Sequence, residues 1–312
     1  MLPACRSFIP PIQLAINEEN AITLAANANY WRGKPKLDRI EFTYNPDNQA
    51  QLDTYKKGEI DIDAALTAEL VPQILSDTLH SEFNQYDSAQ TFALAFNNTI
   101  APFNDRIVRR AFSQAVDRAG FVKNVLLGVA EPTTRWIPAG VPGNQSAKPG
   151  VPASDPQAAV KTLLDNGYGK DGKVDCAKLG EIKFTYADSP INKQRVEYIA
   201  ANLTKVIGCE IKADPVSPIQ FTRITRDVKT NPQLSLQRWV EDFPHPQNWL
   251  STYWTCGSFA KSFGYCNVFL DALLHKADNT TDLEAAIKLY QQAEDLLIQD
   301  VPGAFLYNPY NL

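Results

Sequence analysis

The chain has 312 residues, 44% of them hydrophobic and 10% aromatic, which is enough to bury a sizeable core and makes two domains the natural expectation by length. Lys and Arg number 30 against 35 Asp and Glu, and the net charge of −5 is spread along the sequence, so no basic stripe is offered to nucleic acid or to an anionic membrane. No apolar run approaches the ~20 residues that span a bilayer, and the opening MLPACRSFIPPIQ lacks the basic and apolar regions of a signal peptide.

In chain order, Ala21–Ala26 reads as a strand, and after the punctuation NANYWRGKPK the alternating run LDRIEFTY reads as a second, ending at the turn signal NPDN. A polar helix is expected from Asn48 to Lys57, ended by Gly58. GEIDIDAAL is expected to be a short strand, with Ile60 and Ile62 on one face and Asp61 and Asp63 on the other. Thr67–Leu75 reads as a helix. QTFALAFNN is apolar throughout, as a strand covered on both faces must be.

Asp105 opens an amphipathic helix with Ile107, Val108, Ala111, Phe112 and Ala115 at helical spacing, and Asp117 caps a second that stops at Gly128. Glu131–Ala153 is dense in Pro and Gly without periodicity, which predicts an ordered surface loop. Asp155–Asn166 reads as a helix. EIKFTYA, the helix Asn192–Ile207 and CEIKADPV then form a β-α-β unit, expected to be parallel and right-handed. A helix at Gln220–Lys229, the strand SLQRWVED, a long helix at Leu283–Gln299 and the strand AFLYNP complete the chain, and the class is α/β with mixed sheets flanked by helices.

Five cysteines are many for a reduced compartment. Cys256 and Cys266 bracket CGSFAKSFGYC, which reads as a loop stapled by a disulfide, whereas a zinc site normally needs two more ligands close by. Cys176 and Cys209 precede two strands of the β-α-β unit, and both readings stand there: a bridge between neighbouring strand ends, or two buried thiols. Cys5 is left over, and an odd cysteine in an oxidising compartment points to a partner upstream of Met1.

His80, His245 and His275 fall at no metal-binding spacing, and there is no GxSxG elbow, P-loop or GxGxxG, so neither a metal nor a cofactor is expected. GKDGKVD, at Gly169–Asp175, lacks the terminal glutamate of a calcium loop and reads as a turn. The residues say binding protein more readily than enzyme. In QRWVEDFPHPQNWL the prolines end a strand at about Asp242, which leaves a carboxylate at a sheet edge beside Trp239. Such a group can receive an ammonium, or it can be a solvated turn acid with Trp239 in the core.

Four stretches, in order, resemble the dipeptide- and oligopeptide-binding proteins of bacterial ABC transporters, the extracellular solute-binding proteins of family 5. NANYWRGKPKLDRIEF resembles the family's Asn-x-x-Tyr-Trp with the following Gly-Lys-Pro and strand, and KKGEIDI its Gly-Glu-(Ile/Val)-Asp turn. TFALAFNNTIAPFNDRIVRRAFSQAVDRAGFVKNVLLGVAEP resembles the strand, the Pro-Phe-x-Asp-x-x-Val-Arg-x-Ala helix and the Asp-capped helix after it. RWVEDFPHPQNWL resembles Gly-Trp-x-x-Asp-x-x-Asp-Pro-x-x-Phe, with Arg238 in place of the Gly and His245 in place of the second Asp.

The resemblance implies a type II periplasmic-binding-protein-like fold, two α/β lobes closing over ligand, with lobe one incomplete: residues 1–91 as partial lobe one, 92–305 as lobe two and 306–312 as the start of a return to lobe one. It implies the substrate-binding component of an importer, extracytoplasmic, that captures peptides in an interlobe cleft and hands them to the ABC permease subunits. An extended peptide would add as a strand to the backbone of Arg238–Val240, Trp239 would line a side-chain pocket and Asp242 would pair with the peptide's α-ammonium. The same fold can serve an oligosaccharide, a nickel chelate or haem, and a hydrolase acting from Asp242 is the alternative of another class.

Overall fold

The computed structural model describes residues 10–18, 21–64 and 66–312 and divides into two compact units, one ending at Phe83 and the other spanning Asn84–Asn311. Cys5 lies outside the described residues.

In the first unit, β1 (Ile12–Glu18), β2 (Ala21–Ala26) and β3 (Arg39–Thr43) form an antiparallel sheet in the order β1-β2-β3. Leu14 lies opposite Leu24 and Leu24 opposite Ile40, while Ile22 lies opposite Phe42, so these five apolar residues share one face. α1 (Asn48–Lys56) starts at Asp47, whose carboxylate accepts the Ala50 N–H, and α2 is Val71–Leu75. GEIDIDAAL is not a strand: none of its described residues joins a ladder. Alternation needs a partner to become a strand, and here Asp63 instead accepts from Gln51 of α1 while Ile62 stays 79% exposed.

The second unit is built on a seven-stranded sheet. Its elements in order are β4 (Tyr86–Asp87), β5 (Gln90–Phe96), α3 (Arg106–Ala115), α4 (Arg118–Asn124), β6 (Ala130–Pro132), α5 (Pro156–Leu163) and the two-stranded hairpin β7 (Gly169–Lys170) and β8 (Lys173–Val174). Then follow α6 (Cys176–Leu179), β9 (Ile182–Ala187), α7 (Pro190–Ile207), β10 (Ile211–Val216), α8 (Pro218–Ile224) and β11 (Leu234–Val240). The chain closes with α9 (Pro246–Trp249), α10 (Ser251–Trp254), α11 (Val268–Asp278), α12 (Leu283–Asp300) and β12 (Gly303–Asn311). The strand order is β10-β9-β11-β5-β12-β4, with β6 also on β12. β9 and β10 are parallel, as a β-α-β unit requires, and GKDGKVD forms the β7–β8 turn through positive φ at Asp171 and Gly172.

β5 is covered on both faces. Phe92, Leu94 and Phe96 face a core closed by α3, α4, α5 and α7, while Ala93 and Ala95 face a second core formed with α10, α11 and α12. Small residues on the second face make room for the fully buried Trp136 and Trp249.

The unit boundaries differ from those expected. The second unit starts at Asn84, not Phe92, and β12 runs unbroken past Phe305. The reason is pairing: Tyr307–Pro309 lie against β6, and Tyr310 and Asn311 against β4, so the segment after Phe305 continues a strand of this sheet. Cys256–Cys266 is a disulfide as expected, and of the two readings left open at Cys176 and Cys209 the structure has the bridge.

Candidate functional site: a fork between two parallel strands

β11 pairs with β5 along its whole length, from Leu234↔Phe96 to Val240↔Gln90, but with β9 only at Leu234 and Ser235. Beyond Ser235 the two parallel strands diverge. The ladder continues past β11 with the Glu241 N–H donating to Ala89 O at 3.1 Å, which makes the odd-numbered residues of β11 the ones bonded to β5. Arg238 and Val240 therefore turn their N–H and C=O groups away from β5, toward an edge that no described strand occupies. Crevices at the carboxyl ends of parallel strands are where open α/β sheets bind ligands.

The two faces of this edge differ. On one, Trp239 is half-buried and packs edge-on against Tyr253, with ring centroids 5.2 Å apart, and against Phe259 at 5.0 Å. Phe259 sits on the loop closed by Cys256–Cys266, and the Cys256 N–H donates to the Asp271 carboxylate. On the other face is a depression of about 340 Å³, walled by Phe92, Tyr186, Arg195, Phe221 and Arg238.

At the end of β11 the chain turns through Asp242. The fully buried Asn248 organises this turn: its Oδ1 accepts from the Trp239 indole N–H at 3.0 Å and from the Asp242 N–H at 3.2 Å, and its Nδ2 donates to Asp242 Oδ2 at 3.0 Å. Asp242 is exposed, with its second carboxylate oxygen open to solvent-borne donors. Glu241 differs, its carboxylate accepting a long 3.5 Å bond from the Trp249 indole N–H. Asn248 is placed by α9, whose first residue is Pro246 and whose cap is His245, with Nδ1 accepting the Gln247 N–H.

The structure thus brings Arg238, Trp239, Val240 and Asp242 to one edge, as two of them on opposite faces, one along the edge and one at its end. Asn248 and Arg195 were not read from the sequence. Asn248 lies in PHPQNWL, where a polar residue one turn after a strand-ending Pro-His-Pro is a signal that was available; Arg195 is a half-buried position on α7 with no local signal.

The decisive comparison is with a family, bacterial extracellular solute-binding proteins, family 5 Middle, which matches residues 15–261. This chain belongs to family 5. The family 5 dipeptide-binding protein DppE of Bacillus subtilis is 27% identical over 301 residues, which is 94% of this chain and 54% of the relative. A putative peptide-binding protein AppA from Clostridium difficile has a similar fold, with a TM-score of 0.81 at 20% identity over 96% of this chain and 60% of that one. So has the DppA protein from Helicobacter pylori, solved in complex with the peptide STSA, at TM-score 0.76 and 23% identity over 96% of this chain and 57% of that one. The chain spans about half the length of the curated family 5 relatives it matches. The fold is the type II periplasmic-binding one, and no helix among the described residues is long and apolar enough to cross a membrane.

Proposed function

We propose that this chain is the ligand-recognising part of an extracytoplasmic peptide receptor that serves an ABC importer and hands its ligand to the membrane permease. The observation that carries this reading is the open backbone edge at Arg238 and Val240, ending at an exposed, oriented carboxylate. An extended peptide adds to such an edge through main-chain hydrogen bonds that are indifferent to its sequence. Asp242 then receives the α-ammonium, and Asn248 fixes the direction from which it does so. Two disulfides suit an oxidising compartment, and the Bacillus relative is a dipeptide-binding protein.

The test is titration calorimetry with a free tripeptide and its N-acetylated counterpart. Acetylation removes the cation, and a charge-assisted hydrogen bond is worth about 1.5–3 kcal/mol, so affinity should fall roughly 10- to 150-fold. Asp242→Asn should weaken the free peptide and narrow that gap, whereas Glu241→Gln should leave it unchanged. Equal affinity for free and acetylated peptide would refute the role of Asp242, and release of amino acids from the peptide would favour a hydrolase instead.

A further inference from the structure

Strand addition has a consequence for selectivity, because successive side chains of the added strand point to opposite faces of the sheet. The ligand residue on the Trp239 face meets aromatic rings. Its neighbour meets the depression lined by Phe92, Arg195 and Arg238.

There the guanidinium of Arg195 lies 5.5 Å from the Phe92 ring centroid and that of Arg238 lies 5.9 Å from it. Phe92 is itself stacked on Tyr307, with centroids 4.6 Å apart. The two cations thus share one buried aromatic ring, and among the described residues neither donates a hydrogen bond or forms an ion pair. Arginine is the side chain best shaped for planar recognition of a carboxylate, and like charges held over one ring repel until an anion joins them. The acids nearby lie elsewhere: Asp188, Glu197 and Asp214 act on Tyr186, whose pKa is raised first by burial and then by their charge, and none of them pairs with either arginine. The Tyr307 hydroxyl, buried without a hydrogen-bond partner, lies close enough to feel both guanidinium charges.

We infer that Arg195 and Arg238 form a subsite for the carboxylate of an acidic ligand side chain, on the face of β11 opposite Trp239, so that the receptor selects a peptide in which an acidic residue adjoins an apolar or aromatic one. This rests on the strand-addition reading above. Arg238 stands where the family pattern has Gly, so the subsite is built by a side chain that the resemblance does not supply.

Two measurements test it. The first follows the Arg195 and Arg238 Nε–H resonances while the chain is titrated with N-acetyl-aspartate amide, a lone acidic side chain without either terminus. A saturable shift is expected, absent with the asparagine analogue and lost in Arg195→Gln/Arg238→Gln. The second compares tripeptides that differ only as Glu against Gln, each with free and amidated C-terminus. Glu should bind roughly tenfold more tightly at low salt, a preference that survives amidation, fades with added salt and is abolished in the double variant. A preference that disappears on amidation would assign the arginines to the terminal carboxylate and overturn the side-chain subsite. If tripeptides bind but Glu and Gln are indistinguishable, the subsite is wrong and the peptide reading stands. If capped aspartate shifts the arginines but no peptide binds, the subsite stands and the peptide reading falls; if nothing binds, both fall.

Discussion

Replacing Glu294 by Ala should destabilise the second unit by about 3–5 kcal/mol, because Glu294 is a fully buried carboxylate with three strong donors. Its Oε2 receives Arg135 Nη1 at 2.6 Å, and its Oε1 receives the backbone N–H groups of Trp136 and Ile137, both at 3.0 Å. Arg135 is itself only 3% exposed, so the truncation leaves a guanidinium and two amides in the interior without their acceptor. Arg135 also bonds to Asp295 at 2.7 Å, but that carboxylate is 43% exposed, and an ion pair screened by water is worth no more than about 1 kcal/mol. The two acids are adjacent on α12 and touch the same arginine, which makes Asp295→Ala the natural control. For a unit of this size about 2–4 °C of melting temperature goes with each kcal/mol. Glu294→Ala should therefore lower the melting temperature by roughly 6–20 °C, Asp295→Ala by less than about 4 °C, and Glu294→Gln by an intermediate amount. Urea denaturation followed by tryptophan fluorescence gives the free energies directly. A loss of 1 kcal/mol or less for Glu294→Ala, or an equal loss for Asp295→Ala, would refute the reading that the buried carboxylate anchors the segment Arg135–Ile137.

The disulfides should rank by loop size: with a sequence separation of 33 for Cys176–Cys209 and 10 for Cys256–Cys266, chain entropy gives about 4 and about 3 kcal/mol for replacement of each pair by Ala, read by urea denaturation, and the reverse order would count against that account. Selective reduction of Cys256–Cys266 should release Phe259 from Trp239 and weaken peptides bearing an aromatic residue more than those bearing Ala; equal weakening would dissociate the loop from the pocket. Burial, then the hydrogen bond to Asp105, pushes the Tyr168 pKa up to about 12. The folded state thus favours the protonated phenol, so its contribution to stability is complete below pH ~10 and is lost as pH rises through 12; an ultraviolet titration finding Tyr168 ionised at pH 10.5 in the folded protein would contradict this. On the first unit, Leu14 is 62% and Phe42 55% exposed on one apolar sheet face, so the chain should bind a hydrophobic dye and self-associate at micromolar concentration, both diminished by Leu14→Glu/Phe42→Glu.

Where local chemistry and burial agree, the sequence was sufficient. β5 is apolar on both sides because both its faces are core, and Asp105 and Asp117 cap α3 and α4 by accepting from the Ile107 and Gly120 amides. The β9–α7–β10 unit followed from period and length alone. GEIDIDAAL failed because alternation records a preference and not a partner. α11 was missed although Asn267 caps it through two backbone amides, since its exposed Val268 and Phe269 blur the apolar stripe. Glu294 falls within the buried stripe of Tyr290, Ala293 and Leu297, so its position on α12 signalled an interior carboxylate, while its partner, more than 150 residues away in sequence, did not show. The fork at Ser235 was equally hidden, because it depends on where β9 stops following β11, a relation between two strands that neither strand encodes.

Asn248 ties the Trp239 indole to the Asp242 carboxylate through a single amide group, its oxygen on the one and its nitrogen on the other, and so would join the two halves of the proposed recognition. On that proposal, side-chain preference and charge preference at this site would not be separate dials. Reshaping the pocket by Trp239→Phe removes a donor from the amide oxygen and loosens the neighbouring carboxylate, so a change aimed at which residue is accepted would also change how firmly the proposed ammonium is held. The two substitutions Trp239→Phe and Asp242→Asn should be non-additive for this reason. If the proposed receptor is wired in this way, Arg238, which shares the strand but not the amide, is the position where ligand preference would change most independently.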